Sequence, residues 1–299
     1  MLKYLDRLYC WFPQTNIVWR SLRYGVRVLT NVYVRWLMSI SNKQSEVNAD
    51  TIIVSFTSYP ARIKNVWMTA ATLLAQSYQD MYVVLWLSKD QFPEGMRGLP
   101  KKLQRLRKKG LDIRFVDDDL RPHKKYFYAM QEFPNNNIVT VDDDILYHPD
   151  LVFCLLDCHK KHQNCVVCNR GVVIKHGAYR TWPLNTFFCD ERTDVMPTGI
   201  GGVFYPAHIF DETPIFDSET IRRTCLNGDD LWLNLMTRLA KRKVVQTDFS
   251  MGLITILSSQ HSALCKENIE EDRNDRQIAN LSIWTKQQFG HDFYLYCNC

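Results

Sequence analysis

The stretch FVDDDLRPHKKYFYAMQEFPNNNIVTVDDDILYHP, residues 115–149, writes Val-Asp-Asp-Asp twice, at Val116–Asp119 and at Val141–Asp144. Three adjacent carboxylates repel one another, so each run needs positive charge from somewhere. The first is followed by Arg121, His123, Lys124 and Lys125, bases that can neutralise it locally in a solvated turn, with a brush against a nucleotide base as its functional alternative. The second meets no Lys or Arg until Lys160, and the NIVTV before it has the unbroken apolar character of a strand buried on both faces. Carboxylates fixed there without a local cation need an ion. Mg²⁺ and Mn²⁺ prefer carboxylate oxygens, and such an ion typically bridges to substrate phosphates and steadies the charge on a departing group. Asp142–Asp144 is therefore the candidate site.

Two other segments could share in that chemistry. NGDDLWLNLM sets Asn227, Asp229 and Asp230 at a helix start. Acids there cap free N–H groups and suit the helix dipole; one is enough, which leaves a spare. In TGIGGVFYP, Gly199, Gly201 and Gly202 let the backbone approach a sugar closely, or simply turn the chain. A phosphohydrolase of the haloacid-dehalogenase type would need Asp-x-Asp-x-Thr or Val near the start of its domain. Here Leu146 fills the last position, in mid-chain. The Asp-x-Asp of nucleotide-sugar transferases suits the surroundings better.

The elements that must position these groups follow from periodicity. TIIVSFT, MYVVLWLS, LDIRFV and NIVTV are of strand type. Between them, Ile63, Val66, Trp67, Ala70, Leu73 and Leu74 form one helical stripe, and LPKKLQRLRKKG and HKKYFYAMQEF read as further helices. Alternating strands and helices predict an α/β fold with a mainly parallel sheet covered on both faces, binding ligands beyond the C-terminal strand ends. The second half is less regular. It has a helix at PDLVFCLLDCHKKH, short strands about Asn169-Arg170-Gly171, a helix from near Asp229 and another over 274–289.

The order of strand, VDDDI, TGIGGVFYP and NGDDLWLNLM resembles the GT-A-fold glycosyltransferases. It is similar both to bacterial capsular and cell-surface polysaccharide enzymes and to the exostosin-like group. The layout matches over roughly residues 50–290, with specific matches confined to those motifs. The resemblance implies a GT-A, Rossmann-like sheet, an NDP-sugar donor (usually UDP-linked), a Mn²⁺ or Mg²⁺ ion, and a glycan or lipid-linked glycan acceptor. It makes Asp142 the nucleotide-side acid, with Asp143 beside it, and Asp144 the main metal ligand. His261 in SSQHSAL completes the metal shell or is structural. Asp229, Asp230 and Asn227 face the acceptor. Asp230 is the general base if the enzyme inverts; Asp230 and Asn227 position acceptor and donor if it retains. Thr57, Tyr59 and Arg62 after the first strand, with Lys125 and Arg276, are the expected donor contacts. A non-catalytic sugar-binding or assembly protein on the same fold is the other reading.

The chain reads as a basic extension, 1–48, and a body, 49–299, with a nucleotide-binding half (49–148) and an acceptor-binding half (149–299). The formal charge of +5 belongs to the extension, which has seven Lys or Arg against two acids, while the other 251 residues hold thirty of each. A neutral body offers no basic groove for nucleic acid. Residues 17–40 place Val18, Leu22, Val26, Leu29, Tyr33, Trp36 and Ile40 at helical spacing, with Arg20, Arg23 and Arg27 on another face and Trp19 and Trp36 as anchors. Such a helix lies on an anionic membrane surface or docks on the protein's own body. With no signal peptide or membrane span legible, the expected location is the cytoplasm, peripheral on the inner face of the plasma membrane. The ten cysteines read as thiols in a reducing compartment; Cys154, Cys158, His159, His162, Cys165 and Cys168 could alternatively hold zinc, and Cys297 and Cys299 have no reading.

Overall fold

The computed structural model describes residues 1–37, 46–257, 272–292 and 294. The strands are β1 (Ile52–Thr57), β2 (Met81–Ser88), β3 (Leu111–Val116), β4 (Ile138–Thr140), β5 (Ile145–Leu146) and β6 (Cys165–Cys168). They continue with β7 (Gly171–Val173), β8 (Glu191–Arg192), β9 (Val195–Pro197), β10 (Val203–Tyr205), β11 (Lys243–Gln246) and β12 (Ile254–Thr255). The helices are α1 (Leu2–Trp11), α2 (Ile17–Leu37), α3 (Val66–Leu74), α4 (Lys101–Arg107) and α5 (Lys124–Glu132). Then come α6 (Leu151–Lys161), α7 (Ser218–Thr224), α8 (Asp229–Leu239) and α9 (Arg273–Phe289).

Eight strands make one sheet in the order β3-β2-β1-β4-β10-β6-β11-β8. The β3–β2, β2–β1, β1–β4 and β6–β11 pairings are parallel; β10 and the edge strand β8 run the other way. The fold is thus α/β, with a mainly parallel sheet flanked by helices. β1 shows how residue type sets this. Ile52, Val54 and Phe56 enter the core beneath α3, while Ile53 enters the opposite one with Val84, Trp86, Ala129 and Phe133. With both faces covered, a β-branched and aromatic run needs no polar alternation. The mixed pattern of LDIRFV belongs to β3, at the sheet edge.

The antiparallel β10 is what the sequence pattern does not reveal. Its pairing of Val203 with Thr140 sets the preceding glycine-rich turn beside the C-terminal end of β4, next to Asp142. A second tie crosses the sheet at β1. The buried Ser55 hydroxyl donates to the Lys125 carbonyl and accepts the Trp86 indole N–H at 2.9 Å. This fixes the start of α5 against the strands.

The extension docks on the body, and its apolar stripe divides. α2 turns Val26, Thr30, Asn31, Val34 and Leu37 inward, while Val18, Leu22, Leu29 and Trp36 of the expected stripe are exposed. Two polar residues sit on the docked face because their side chains are satisfied there. The Thr30 hydroxyl donates to the Val26 carbonyl at 2.8 Å, and Asn31 accepts the Leu257 N–H at 3.1 Å. A reading that tracks only apolar residues passes over them. Arg23 and Arg27 also turn inward, donating to the carbonyls of Tyr9 and Phe12 and of Thr255 and Ile256. Trp19 stacks on Phe12 with ring centres 5.7 Å apart. Ile40, Cys297 and Cys299 lie outside the described residues.

Cys154 and Cys158 on α6 and Cys165 on β6 are thiols that burial pushes up to about 11. Among the described residues no three His, Cys, Asp or Glu side chains are grouped to hold a metal by themselves, at residues 154–168 or at the acidic run after β4. No helix among the described residues is long and apolar enough to cross a membrane.

Ser55→Ala strips the partner from the buried Trp86 indole N–H and a second donor from the Lys125 carbonyl, and should cost about 1–3 kcal/mol. A denaturant midpoint unchanged from the parent chain would show that the tie carries no stability.

Candidate functional site

Five segments meet at the C-terminal edge of the central strands. They are the β1–α3 loop, the run after β4, the start of α5, the turn at 198–202 and the start of α8. Between them they bring five carboxylates (Asp142, Asp143, Asp144, Asp229, Asp230) around two cations, Arg62 and Lys125.

Arg62 holds the deeper end. Its guanidinium lies 2.5 Å from Asp143 Oδ1 and 3.2 Å from Asp144 Oδ2, and the Ser58 hydroxyl donates to Asp143 Oδ2 at 2.6 Å. Asp143 also gives its backbone carbonyl to the Thr69 hydroxyl at 2.9 Å. Burial nonetheless pushes the Asp143 carboxyl up, against Arg62 and Ser58. Asp144 is raised to about 6, chiefly by burial, with Arg62 opposing and the charges of Asp142 and Asp143 adding.

Lys125 holds the outer end. Its buried ammonium lies 2.8 Å from Asp142 Oδ1 and 2.8 Å from Asp229 Oδ2. Burial opposes its charge, yet Asp142, Asp229 and Asp230 hold its pKa well above the usual lysine value. Asp142 keeps 34% of its side chain exposed and donates its backbone N–H to the Tyr147 hydroxyl at 2.8 Å.

The acids that open α8 have separated in character. Burial disfavours the charge on Asp229, but the Lys125 ammonium outweighs it, and the carboxyl titrates below its ordinary range. Asp230 is pushed up to about 8 by burial and by the negative charge of Asp229, with Lys125 opposing. It accepts the Gly199 N–H at 3.1 and 3.0 Å on its two oxygens. Gly199 is where the groups converge. A Cβ there would lie 2.9 Å from Lys125 Nζ, 3.0 Å from Asp142 Oδ1 and 3.2 Å from Asp230 Oδ1, so only glycine leaves room for all three. Gly202 has φ +79°, in the left-handed region, and lets the turn enter β10. The turn is stitched to its neighbour by Asn169 Nδ2 on the Gly201 carbonyl at 3.1 Å and by Arg170 on the Thr198 hydroxyl at 2.8 Å.

The premise that the second acidic run lacks a cation fails in three dimensions. Arg62 and Lys125, which lie 81 and 17 residues from their partners, supply it. The first run is a salt-bridged turn, as expected, though its bases differ. Lys89 pairs with Asp117 at 2.6 Å, Arg222 with Asp118, and Lys124 and Arg121 with Asp119. Lys125 turns to the other run. His123 is buried and neutral, its pKa lowered to about 4 by burial; it accepts from the Tyr126 hydroxyl and donates to the Cys225 carbonyl.

Thr57, Tyr59 and Asn227 sit in the segments that border this centre. The Thr57 hydroxyl donates to the Trp86 carbonyl at 2.8 Å, and the Tyr59 ring centre is 5.6 Å from the Arg62 guanidinium carbon. The Asn227 N–H donates to Gln277 at 3.0 Å. Arg276, the neighbour of Gln277, is exposed on α9, and His261 lies outside the described residues. Ser58, Tyr147 and Gln277 complete the surroundings and had no signal in sequence, because each acts through a contact made only by the fold.

No protein-family model and no curated protein sequence matches the chain. Several solved structures are similar in shape. A mannosyltransferase, PcManGT from Pyrobaculum calidifontis in complex with GDP-Man and Mn²⁺, is 11% identical at TM-score 0.49, covering 96% of this chain and 76% of that one. S. aureus TarS 1–349 in complex with UDP-GlcNAc is 14% identical at TM-score 0.42, covering 80% and 72%. An apo UDP-glucose pyrophosphorylase is 13% identical at TM-score 0.39, covering 71% and 97%. Likeness at this level does not carry function.

The raised carboxyl of Asp230 sets a pH test. A carboxyl whose pKa is higher folded than unfolded destabilises the fold increasingly as pH rises from about 4 to about 8. Asp230→Asn removes that penalty, so its melting temperature relative to the parent should climb across the window and level off above it. A difference independent of pH would contradict the assignment.

Proposed function

We propose that the chain is a metal-dependent glycosyltransferase. It moves a sugar from an NDP-sugar, in the first instance a UDP-sugar, to a lipid-linked or polysaccharide acceptor at the cytoplasmic face of a membrane during cell-surface glycan synthesis. The observation that carries this reading is charge. Five carboxylates face two cations at the ligand-binding edge of an α/β sheet, and three of them, Asp143, Asp144 and Asp230, titrate above their ordinary range. Such a centre attracts further positive charge.

The donor set suits a hard divalent cation held by one or two carboxylates together with substrate phosphates rather than by an all-protein cage. Asp142 and Asp144 are the residues to hold it, since each keeps part of its side chain exposed. His261 is a further ligand in this reading. The ion would supply neutralising charge for a departing nucleoside diphosphate. The chain's own groups then divide the remaining work. Asp143 is spent on Arg62 and Ser58 and fixes the run. Thr57, Tyr59 and Arg62 border the nucleotide side, with Lys125 and Arg276 as further donor contacts. Gly199 opens backbone space for a sugar. Asp230, able to exchange a proton near neutral pH, is suited to accept the acceptor hydroxyl's proton. Asp229, neutralised by Lys125, positions that acid, and Asn227 holds the turn before it. In a retaining enzyme Asp230 and Asn227 would position the two substrates instead. The motif resemblance to polysaccharide and exostosin-like enzymes supports the same assignment.

A panel of NDP-sugars with and without Mn²⁺ tests the reading. One donor should be turned over only with metal, and Asp144→Asn should lower its rate at least about a hundredfold while keeping the fold. Asp118→Ala, in the surface turn, should stay within about threefold, because exposed pairs contribute little. Metal-dependent donor binding without turnover would indicate a sugar-binding protein, and no donor binding at all would defeat both readings. Gly199→Ala should weaken donor or acceptor use while the chain remains folded; full activity would show that the space at Gly199 is not needed.

A further inference from the structure

The outer face of α1 and α2 holds more exposed large apolar side chains than the rest of the described residues together. Of nineteen large hydrophobic side chains left exposed among the described residues, eleven fall in residues 1–37. On α2, Val18, Leu22, Leu29, Val32 and Trp36 recur at spacings of four, seven, three and four, which stack them on one side. α1 adds Tyr4, Leu8 and Trp11 at spacings of four and three. Trp11 and Trp36 are 71% and 74% exposed. The opposite side of α2 is already covered by the body, so the helix carries two apolar faces and only one has a partner within the chain.

Charge identifies what covers the other. Lys3, Arg7, Arg20 and Arg35 are exposed on these helices, although Lys3 also reaches Asp150 at 2.8 Å. The only acid of residues 1–37, Asp6, is buried and accepts the Gly252 N–H at 3.0 Å. Arg35 flanks the exposed apolar stripe of α2, Lys3 and Arg7 flank that of α1, and no acid of residues 1–37 is exposed beside them, which suits an anionic lipid surface. Leucine, valine and tryptophan enter the headgroup boundary and arginine meets lipid phosphate. A second copy of the same face would bring arginines together with no carboxylate to pair them.

We infer that α1 and α2 lie flat on an anionic membrane through this face, as a surface contact and not a span. The seat is joined to the acidic centre by backbone contacts. Arg27 Nε donates to the Thr255 carbonyl at 3.0 Å, Thr255 pairs with Ile145 in the β12–β5 ladder, and the Ile256 N–H donates to the Asp144 carbonyl at 2.9 Å. The membrane therefore holds the centre at a set height and orientation. The inference does not rest on the sugar-transfer reading, because neither the face nor its charge involves the five carboxylates.

Sedimentation of the full chain with lipid vesicles decides it. The chain should pellet with phosphatidylcholine vesicles doped with phosphatidylglycerol and much less with phosphatidylcholine alone. The emission of the exposed tryptophans should shift to shorter wavelength on binding. Leu22→Glu with Leu29→Glu, both exposed positions, should cut the partition coefficient at least about tenfold with an unchanged melting temperature. Arg7→Gln with Arg35→Gln should cut binding to the doped vesicles about tenfold and leave the weak neutral binding as it is. Equal binding to both vesicle types, no binding to either, or full binding by the Leu22→Glu, Leu29→Glu variant would overturn the inference. So would a parent chain that elutes as a dimer, ignores vesicles and becomes monomeric in that variant, since the face would then be paired with a second copy. Donor turnover measured in solution on the same proteins separates this outcome from that of the catalytic reading.

Discussion

Two cations cannot neutralise five carboxylates, and the arrangement at the end of the central strands follows from that shortfall. Arg62 and Lys125 each bridge two acids, and no other base reaches the cluster among the described residues. Burial first, and the neighbouring negative charges after it, show where the cluster is least compensated. Asp229 stays ionised beside Lys125, while Asp230 holds its proton to about 8 and Asp144 to about 6. A pair of neighbouring acids driven apart in proton affinity by their surroundings is the usual mark of a division between a structural and a chemical role. In the proposed reading the structural member is Asp229.

Lys125 is the hinge of this arrangement, and its position is over-determined. Ser55 on β1 and Trp86 on β2 fix its backbone carbonyl, Asp142 and Asp229 fix its ammonium, and Gly199 leaves it space. A buried lysine is tolerable only with such partners, and removing one would leave a charge stranded. The fold serves that placement. The parallel strands β1 and β4 deliver their C-terminal ends to one edge, and the antiparallel β10 brings the glycine turn to the same edge from the other direction. Each strand alone is unremarkable in composition; their order makes the centre.

Much of the fold was legible because its strands are buried on both faces. Uninterrupted runs such as TIIVSF and NIVTV have few alternatives to a covered, mainly parallel sheet. The second acidic run and the Asp229-Asp230 helix start could likewise be picked out by residue type. What stayed hidden is what depends on long-range pairing. Nothing near Asp143 in the chain points to Arg62, and the base that follows the first run, Lys125, serves the second. Which side of α2 meets the body stayed open for a related reason. Thr30 and Asn31 dock inward through hydrogen bonds that periodicity does not register, and the more obviously apolar side was left facing out.

The central claim is that Asp142–Asp144 takes up a divalent cation together with a nucleoside diphosphate. It is most directly tested by the electron paramagnetic resonance signal of free Mn²⁺ as the chain is added, with and without UDP. The account predicts a loss of free signal beyond that caused by UDP alone, requiring both chain and nucleotide and absent in Asp144→Asn. If UDP does not change the chain's Mn²⁺ uptake, or Asp144→Asn takes up as much as the parent, the account is contradicted.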